Sequence, residues 1–221
     1  MVNLGLLGKG YILNNDGKIT VGGTCGSNGL CEGGIELIWP ATPAGWEWDG
    51  TSWKVPSDSA ANGVFYAETP VYVSGSPGTT SSPWEATIIA RDSIEWSGNP
   101  VTKPFNPPSD PELQYIHVVT GNDLKVNGNI GMVGHEGAIL VHQQIGVSGN
   151  PTFYGFVQVG NGNPTWSGDP FASNTSGKNH YDTSEFSGEA KIAYSCSANC
   201  THAACGTVSA KMVPGSWRDV F

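Results

Sequence analysis

A short phrase recurs four times in the middle of the chain and constrains its fold more than any other feature. Each copy holds an apolar residue, one intervening residue, a second apolar residue, a Ser or Asn, and then Gly. The copies begin at Val71, Ile94, Leu124 and Ile145, which lie 23, 30 and 21 residues apart. Strand-like pieces joined by Gly turns with a period near twenty residues are typical of a solenoid.

The spacing inside each phrase predicts how the copies stack. Alternate residues of a strand share one face, and stacked strands lie about 4.8 Å apart. We therefore expect the four first positions in one internal row and the four third positions in a second, namely Val73, Trp96, Val126 and Val147. The residues after each Gly predict a ladder of polar side chains at the turn, with hydrogen bonds to the next strand: Ser76, Asn99, Asn129 and Asn150.

The predicted fold is all-β, a right-handed parallel β-helix (solenoid) of about five to seven coils with loop inserts. The alternative is a β-sandwich or jelly roll, because hairpins also use such Gly turns. We expect a single domain over residues 1–221. Its parts are a Trp-rich insert or cap (25–63), the core repeats (64–159), a long loop (160–181), and a last coil with a C-terminal cap (182–221).

Composition favours strands and excludes some classes of partner. Gly (31) and Pro (15) are abundant and only 13% of residues are charged, so long helices are not expected. The net charge of −9 argues against nucleic acid and anionic membranes, which both need a basic face. The chain also lacks a run of about 18 apolar residues, so we expect no membrane span.

Five cysteines lie near the two ends of the chain. Cys25 and Cys31 bound a short loop that a disulfide could close, and Cys196, Cys200 and Cys205 lie close together. Two of the latter three could pair. The alternative is a zinc site formed by those three and His202, although the spacing fits no common zinc pattern. Oxidised cysteines predict an extracytoplasmic location: periplasm, cell surface or an extracellular filament.

Four tryptophans in the insert are the candidate binding residues: Trp39, Trp46, Trp48 and Trp53. If exposed, they would form an aromatic patch suited to sugars or to a protein partner. The alternative is that they cover one end of the fold. Asp49-Gly50 between these aromatic residues predicts a hairpin turn.

The sequence predicts no catalytic residues, no metal site and no cofactor. Asp92, Asn122 and Gln143 are expected in an external polar row with only one acid, which suits acid–base chemistry poorly. The other candidate acids and the histidines of the repeats are read as ordinary surface or packed residues: Glu95, Glu112, Asp123, Glu136, His117, His135 and His142. The alternative ligand sets, for calcium, are the Asn/Asp-rich turns at 14–16 and 122–123.

Several short segments carry a resemblance to a known family. They are the Ser-Gly-Asn-Pro turns, Tyr72–Thr79, Trp84–Ala90 and the ending Ser216–Val220. Over roughly residues 64–221 the chain resembles the extracytoplasmic β-rich region of bacterial PilX-like, type IV pilus assembly-associated (minor-pilin-like) proteins. The resemblance implies a hydrophobic pilin-like helix before this region and a structural or adhesive role, with no catalytic residues.

The functional expectation is a non-enzymatic, exported structural or adhesive protein, the globular part of a pilus-associated or cell-surface protein. Its expected partners are other pilus or envelope proteins, or surface glycans. The alternative is a carbohydrate-binding or polysaccharide-cleaving protein.

Overall fold

The structure, a computed structural model, describes residues 2–26, 31–106, 115–132, 137–155, 157–160, 185–186, 190–194 and 208–210. Apart from one 3₁₀ turn at Leu4–Leu6, its regular elements are strands. In chain order the strands are β1 (Val2–Asn3), β2 (Gly10–Leu13), β3 (Ile19–Val21), β4 (Thr24–Cys25), β5 (Cys31–Glu32), β6 (Ile35–Leu37), β7 (Glu47–Trp48), β8 (Trp53–Val55), β9 (Gly63–Ala67), β10 (Val71–Val73), β11 (Trp84–Ala90), β12 (Ile94–Trp96), β13 (Val101–Lys103), β14 (Ile116–Thr120), β15 (Leu124–Val126), β16 (Gly131–Met132), β17 (Ala138–Val141), β18 (Ile145–Val147), β19 (Thr152–Tyr154), β20 (Val157–Val159), β21 (Glu185–Phe186), β22 (Lys191–Tyr194) and β23 (Val208–Ala210).

The repeated phrase forms the body of a seven-stranded sheet ordered β21-β18-β15-β12-β10-β8-β7. From β8 to β21 neighbouring strands are parallel, and the phrases pair first position with first position: Val71 with Ile94, Ile94 with Leu124, and Leu124 with Ile145. All first and third positions are buried. The predicted register of the four phrases is therefore confirmed.

A thirteen-stranded sheet collects the strands between the phrases. Its long strand β11 pairs in parallel with β9 from Ala86 onward, with β14 from Ile88 onward, and with β13 at its start. Further parallel pairs extend from β14 to β17 and β20, and from β13 to β16, β19 and β22. In both large sheets, strands that lie one sequence repeat apart are therefore neighbours.

The two large sheets enclose one apolar core. Val71, Trp96 and Leu124 from the seven-stranded sheet pack with Phe65 and Ile88 from the thirteen-stranded sheet. Each fully buried aliphatic or aromatic side chain contributes roughly 1.5–3 kcal/mol by leaving water, so this core is the main source of stability. A second, smaller core holds Leu4, Ile12, Cys25, Val64 and Ile89 under the N-terminal segment.

The predicted right-handed parallel β-helix of five to seven coils is wrong, although the all-β class is right. The sheets are mixed, because β2–β3, β3–β6, β7–β8 and β22–β23 are antiparallel pairs. A separate three-stranded sheet, β1-β4-β5, is antiparallel throughout. The described strands therefore do not close into one solenoid, and their facing sheets are closer to the β-sandwich alternative.

The physical reason for this difference lies in the tight turns near the start of the chain. Asn14 N–H donates to Lys18 O at 2.9 Å, and the positive φ of Gly17 (83°) lets the chain reverse between β2 and β3. A reversal of this kind gives an antiparallel pair, whereas the longer connections between phrases return each strand in the same direction. A sequence period does not distinguish these two kinds of connection.

Backbones approach closely at the turn after each phrase. A Cβ on Gly98, Gly128 or Gly149 would overlap the carbonyl oxygen of the glycine one repeat earlier. Only glycine fits such an approach, which explains why this position is Gly in each copy. The predicted long loop (160–181) lies almost wholly outside the described residues.

Candidate functional site

The predicted polar ladder lies at the turn that follows each phrase. Asn99 N–H donates to Ser76 Oγ, Asn129 N–H to Asn99 Oδ1, and Asn150 N–H to Asn129 Oδ1, each at 3.1 Å. Ser76, Asn99 and Asn129 thus accept hydrogen bonds from the backbone of the turn one repeat later, which helps to fix the register between neighbouring repeats. Their part in the molecule is structural.

The side chains of the row at Asp92, Asn122 and Gln143 hydrogen-bond to one another. Asn122 Nδ2 donates to Asp92 Oδ1 at 2.8 Å, and Gln143 Nε2 donates to Asn122 Oδ1 at 3.2 Å. Of the other candidate acids, Glu95 pairs with Lys125 at 3.4 Å and buried Asp123 accepts from Gln144 N–H at 3.0 Å. Glu112, His135 and Glu136 lie outside the described residues.

The cysteine predictions have two outcomes. Cys25 and Cys31 form a disulfide between the paired strands β4 and β5. Cys196, Cys200, Cys205 and His202 lie outside the described residues. Within the described ranges no group of three His, Cys, Asp or Glu side chains could hold a metal ion. The same part of the chain holds no apolar helix of the length that a bilayer crossing requires.

The four tryptophans of the insert come together at one end of the two large sheets. All four line a groove of about 360 Å³, together with Lys18, Glu36 and Thr42. We call this feature the tryptophan groove. Its lining comes from the β2–β3 turn, the edge strand β6, the connection from β6 to β7, and the β7–β8 hairpin.

The tryptophans differ in exposure. Trp39 is 82% exposed, Trp48 is half-buried, and Trp46 and Trp53 are 8% and 2% exposed. The predicted aromatic patch therefore applies to some of the tryptophans, and the alternative, a cover over the end of the fold, applies to the others. Trp46 and Trp53 pack into the core, and Trp39 presents an aromatic face to solvent.

Local packing fixes the buried members. Trp46 packs against Phe65 with ring centroids 4.6 Å apart, and Trp53 contacts Trp48 at 5.3 Å. Trp53 Nε1 donates to Asn14 O at 2.9 Å, which ties the β7–β8 hairpin to the β2–β3 turn. Gly17 lies directly against Trp48, where a Cβ would overlap the indole ring. These contacts hold Trp46, Trp48 and Trp53 against the rest of the fold.

The predicted hairpin at Asp49-Gly50 is present. Trp48 pairs with Trp53 across it. Asp49 Oδ1 accepts from the N–H groups of Thr51 and Ser52, and its carboxylate pairs with Lys54 at 2.7 Å. The hydrogen bond from Lys54 and those from the turn hold the pKa of Asp49 well below its ordinary value. The turn is thus stabilised by a charged side chain that stays ionised.

One ion pair lies on the side of the groove. Lys18 Nζ is 3.1 Å from Glu36 Oε2 and 4.0 Å from Asp16 Oδ2. The hydrogen bond and the charge of Glu36 raise the pKa of Lys18. Sequence reasoning missed Lys18, because it lies outside the Trp-rich segment and reaches the groove only through the pairing of β3 with β6. It also missed the exposure of Ile35 and Ile38 beside Trp39, at 72% and 76%.

The chain matches no protein-family model, no curated protein and no solved structure.

Proposed function

We propose that this protein is a non-enzymatic, exported adhesive protein that binds surface glycans in the tryptophan groove. The observation that carries the proposal is that the exposed indole of Trp39 and the half-buried Trp48 line one groove, which also offers charged and hydroxyl groups. Sugars combine an apolar C–H face with hydroxyl edges. A site with an aromatic surface and a few polar groups is complementary to both.

The Cys25–Cys31 disulfide supports the exported part of the proposal. Disulfides persist in oxidising compartments and are rare in the cytosol. The link to pili stays a prediction, since it depends on the resemblance over residues 64–221, whereas the groove is built by residues 17–53.

Cleavage of the glycan is the less favoured alternative. Glycoside hydrolysis uses two carboxyl groups that flank the scissile bond. Asp92, Glu95 and Asp123 instead hold neighbouring strands together through hydrogen bonds or an ion pair, and none of them lines the groove.

Substitution of Trp39 tests the proposal. We expect the unaltered protein to bind glycans on an array, and Trp39→Ala to lower the affinity for the best ligand about tenfold or more, because a stacking contact is lost. Tyr154→Ala is the matched control, since Tyr154 is 36% exposed on β19 and does not line the groove. A reducing-sugar assay with the bound glycan should show no release of product. Equal binding by the Trp39→Ala and unaltered proteins would contradict the proposal.

A further inference from the structure

The edge of the thirteen-stranded sheet at β6 is exposed and apolar. Five large apolar side chains are exposed in the described part of the chain, and three of them lie within five residues here: Ile35, Ile38 and Trp39, at 72%, 76% and 82%. The other two, Tyr115 and Tyr154, are 45% and 36% exposed. Single exposed apolar residues are common, whereas a cluster of them marks a surface that a partner covers. We call these three residues the apolar edge.

The hydrogen bonds of the β2–β3 ladder determine which way the backbone of β3 points. Asn14 N–H donates to Lys18 O at 2.9 Å, and Gly22 N–H donates to Gly10 O at 3.0 Å. Hydrogen-bonded pairs alternate along an antiparallel ladder, so Thr20, midway between these two bonds, also directs its backbone groups to β2. Its two neighbours on β3 therefore direct theirs to β6.

This alternation leaves one residue of β6 with open backbone groups. Ile19 pairs with Leu37 and Val21 pairs with Ile35, so these residues of β6 use their N–H and C=O groups toward β3. Glu36, between them, directs its N–H and C=O away from the sheet. Strand β6 is the last in its sheet, and no described strand lies beyond it. An open donor and acceptor on a sheet edge pair with an extended polypeptide segment.

The charges beside this edge are acidic. The segment 31–48, which holds β5, β6 and β7, carries three charged side chains, and all are exposed glutamates: Glu32, Glu36 and Glu47. Glu36 pairs with Lys18, whereas Glu32 and Glu47 have no ion-pair partner among the described residues. A second copy of this chain would bring the same acids to the contact, together with a net charge of −9. A segment that carries Lys or Arg is the better electrostatic match.

We infer that β6 pairs with an extended segment of a partner protein, a segment in which apolar and basic residues alternate. Ile35 and Glu36 point to opposite faces of β6, since successive side chains of a strand do so. An added strand with this alternation places apolar side chains beside Ile35 and basic ones beside Glu36, while its backbone pairs with Glu36 N–H and C=O. This interface goes beyond the proposed glycan binding and does not depend on it.

The first experiment uses synthetic peptides as probes of the full chain. A hexapeptide of alternating Val and Lys is titrated by calorimetry, beside one analogue with Glu in place of Lys and another with Pro as its third residue. We expect the Val/Lys peptide to bind, and both analogues to bind at least about tenfold more weakly. The Glu analogue repels the acidic edge, and Pro lacks the N–H that a strand needs. Equal or tighter binding of either analogue would overturn the inference.

A pair of matched substitutions tests the place of binding. Ile35→Ser removes the side chain that the peptide would cover, and we expect at least about fivefold weaker binding of the Val/Lys peptide. Ile35 is largely exposed, so the fold should be kept. Tyr154→Ser removes an exposed apolar side chain on β19 and should leave the affinity unchanged. Equal affinity of Ile35→Ser and the unaltered protein would contradict binding at β6.

Amide hydrogen exchange tests the backbone pairing itself. In the free protein we expect Glu36 N–H to exchange fast and Leu37 N–H to exchange slowly, because only Leu37 pairs with β3. Saturating Val/Lys peptide should slow the exchange of Glu36 N–H and leave that of Leu37 N–H nearly as it was. A peptide that binds without slowing Glu36 exchange contacts side chains only, and strand addition would then be wrong.

Two further measurements separate this interface from its alternatives. Sedimentation of the unaltered protein should show a monomer, and a dimer that Ile35→Ser abolishes would assign the edge to a second copy and overturn the inference. Ile35 does not line the tryptophan groove, so Ile35→Ser should keep glycan binding. Loss of peptide binding with retained glycan binding supports two separate surfaces, and loss of both together would show that β6 has no interface of its own.

Discussion

His117 lies wholly inside the core, between an aromatic ring and a hydroxyl group. Its ring centroid is 5.4 Å from that of Trp96, and its Nε2 is 2.8 Å from Thr102 Oγ1. Burial disfavours the charged imidazolium and lowers the pKa of His117 to about 3. From the sequence, His117 was expected to be an ordinary surface or packed residue, and the structure places it wholly in the core.

The depressed pKa of His117 makes the stability of the protein depend on pH. The unfolded chain takes up a proton near pH 6.5, whereas the folded protein does so only near pH 3. The contribution of this residue to the free energy of unfolding is therefore fully present above pH 6.5 and declines as the pH falls, by about 3 kcal/mol at pH 4.

Denaturant titrations of the unaltered protein and His117→Gln between pH 7 and pH 4 measure this effect. The amide of Gln can still reach Thr102 but does not titrate in this range. We expect the difference in unfolding free energy between the two proteins to shrink as the pH falls. If the unfolding free energies of the two proteins change with pH in parallel over this range, the assignment of a buried, neutral imidazole is contradicted.

At the scale of single elements, the turn after each phrase combines a glycine and a polar side chain, and each has a separate task. The glycine lets one turn lie against the carbonyl oxygen of the previous turn. The Ser or Asn beyond it accepts a hydrogen bond from the backbone of the next turn. Together they hold the seven-stranded sheet in register where each phrase ends.

The close approach at the turn predicts a strong effect of a single methyl group. Gly128→Ala would place its Cβ inside the contact distance of Gly98 O, so the two strands must separate. We expect a loss of more than about 2 kcal/mol in the free energy of unfolding. Gly131→Ala, three residues further on, meets nothing nearer than the Val101 side chain at 3.6 Å and should be nearly neutral. Denaturant titrations of both variants give the comparison. Equal effects would show that the turns do not approach as described.

The polar ladder predicts a smaller effect that depends on one acceptor atom. Asn129→Ala removes the acceptor for Asn150 N–H and should lower the free energy of unfolding by about 0.5–1.5 kcal/mol. Asn129→Asp keeps an oxygen at that position and should lose less. Amide hydrogen exchange of Asn150 reports the same bond directly, with faster exchange in the Ala variant. Unchanged exchange in that variant would show that the ladder does not order this turn.

At the scale of the whole molecule, the pairing of the repeated strands could be predicted from the sequence, but the complete topology could not. The alternation at Val71 and Val73 marks one buried face, and the recurrence of that pattern at Ile94 and Leu124 identifies the neighbouring strands. The antiparallel pairing of β2, β3 and β6 depends on where short turns reverse the chain. Gly-rich turns occur in both kinds of connection, so the pattern alone could not exclude a solenoid.

The sequence indicated which residues belong to the candidate site, but it did not indicate how they are arranged. The cluster of four tryptophans indicated the right segment of the chain. Their burial could not be read from residue type, because Trp46 and Trp39 differ only in whether neighbours such as Phe65 cover them. The partnership of Lys18 with Glu36 arises from strand pairing between distant segments, which no local pattern reveals.

The central claim is that the four phrases lie in one file with their first positions adjacent in the order 71, 94, 124 and 145. Through-space methyl contacts, measured by NMR on protein labelled at Ile, Leu and Val, test it most directly. We predict strong contacts between Val71 and Ile94, Ile94 and Leu124, and Leu124 and Ile145, with none between Val71 and Ile145. Contacts that skip a phrase, or that join Val73 to Ile94 in place of Val71, would contradict the register and the fold built on it.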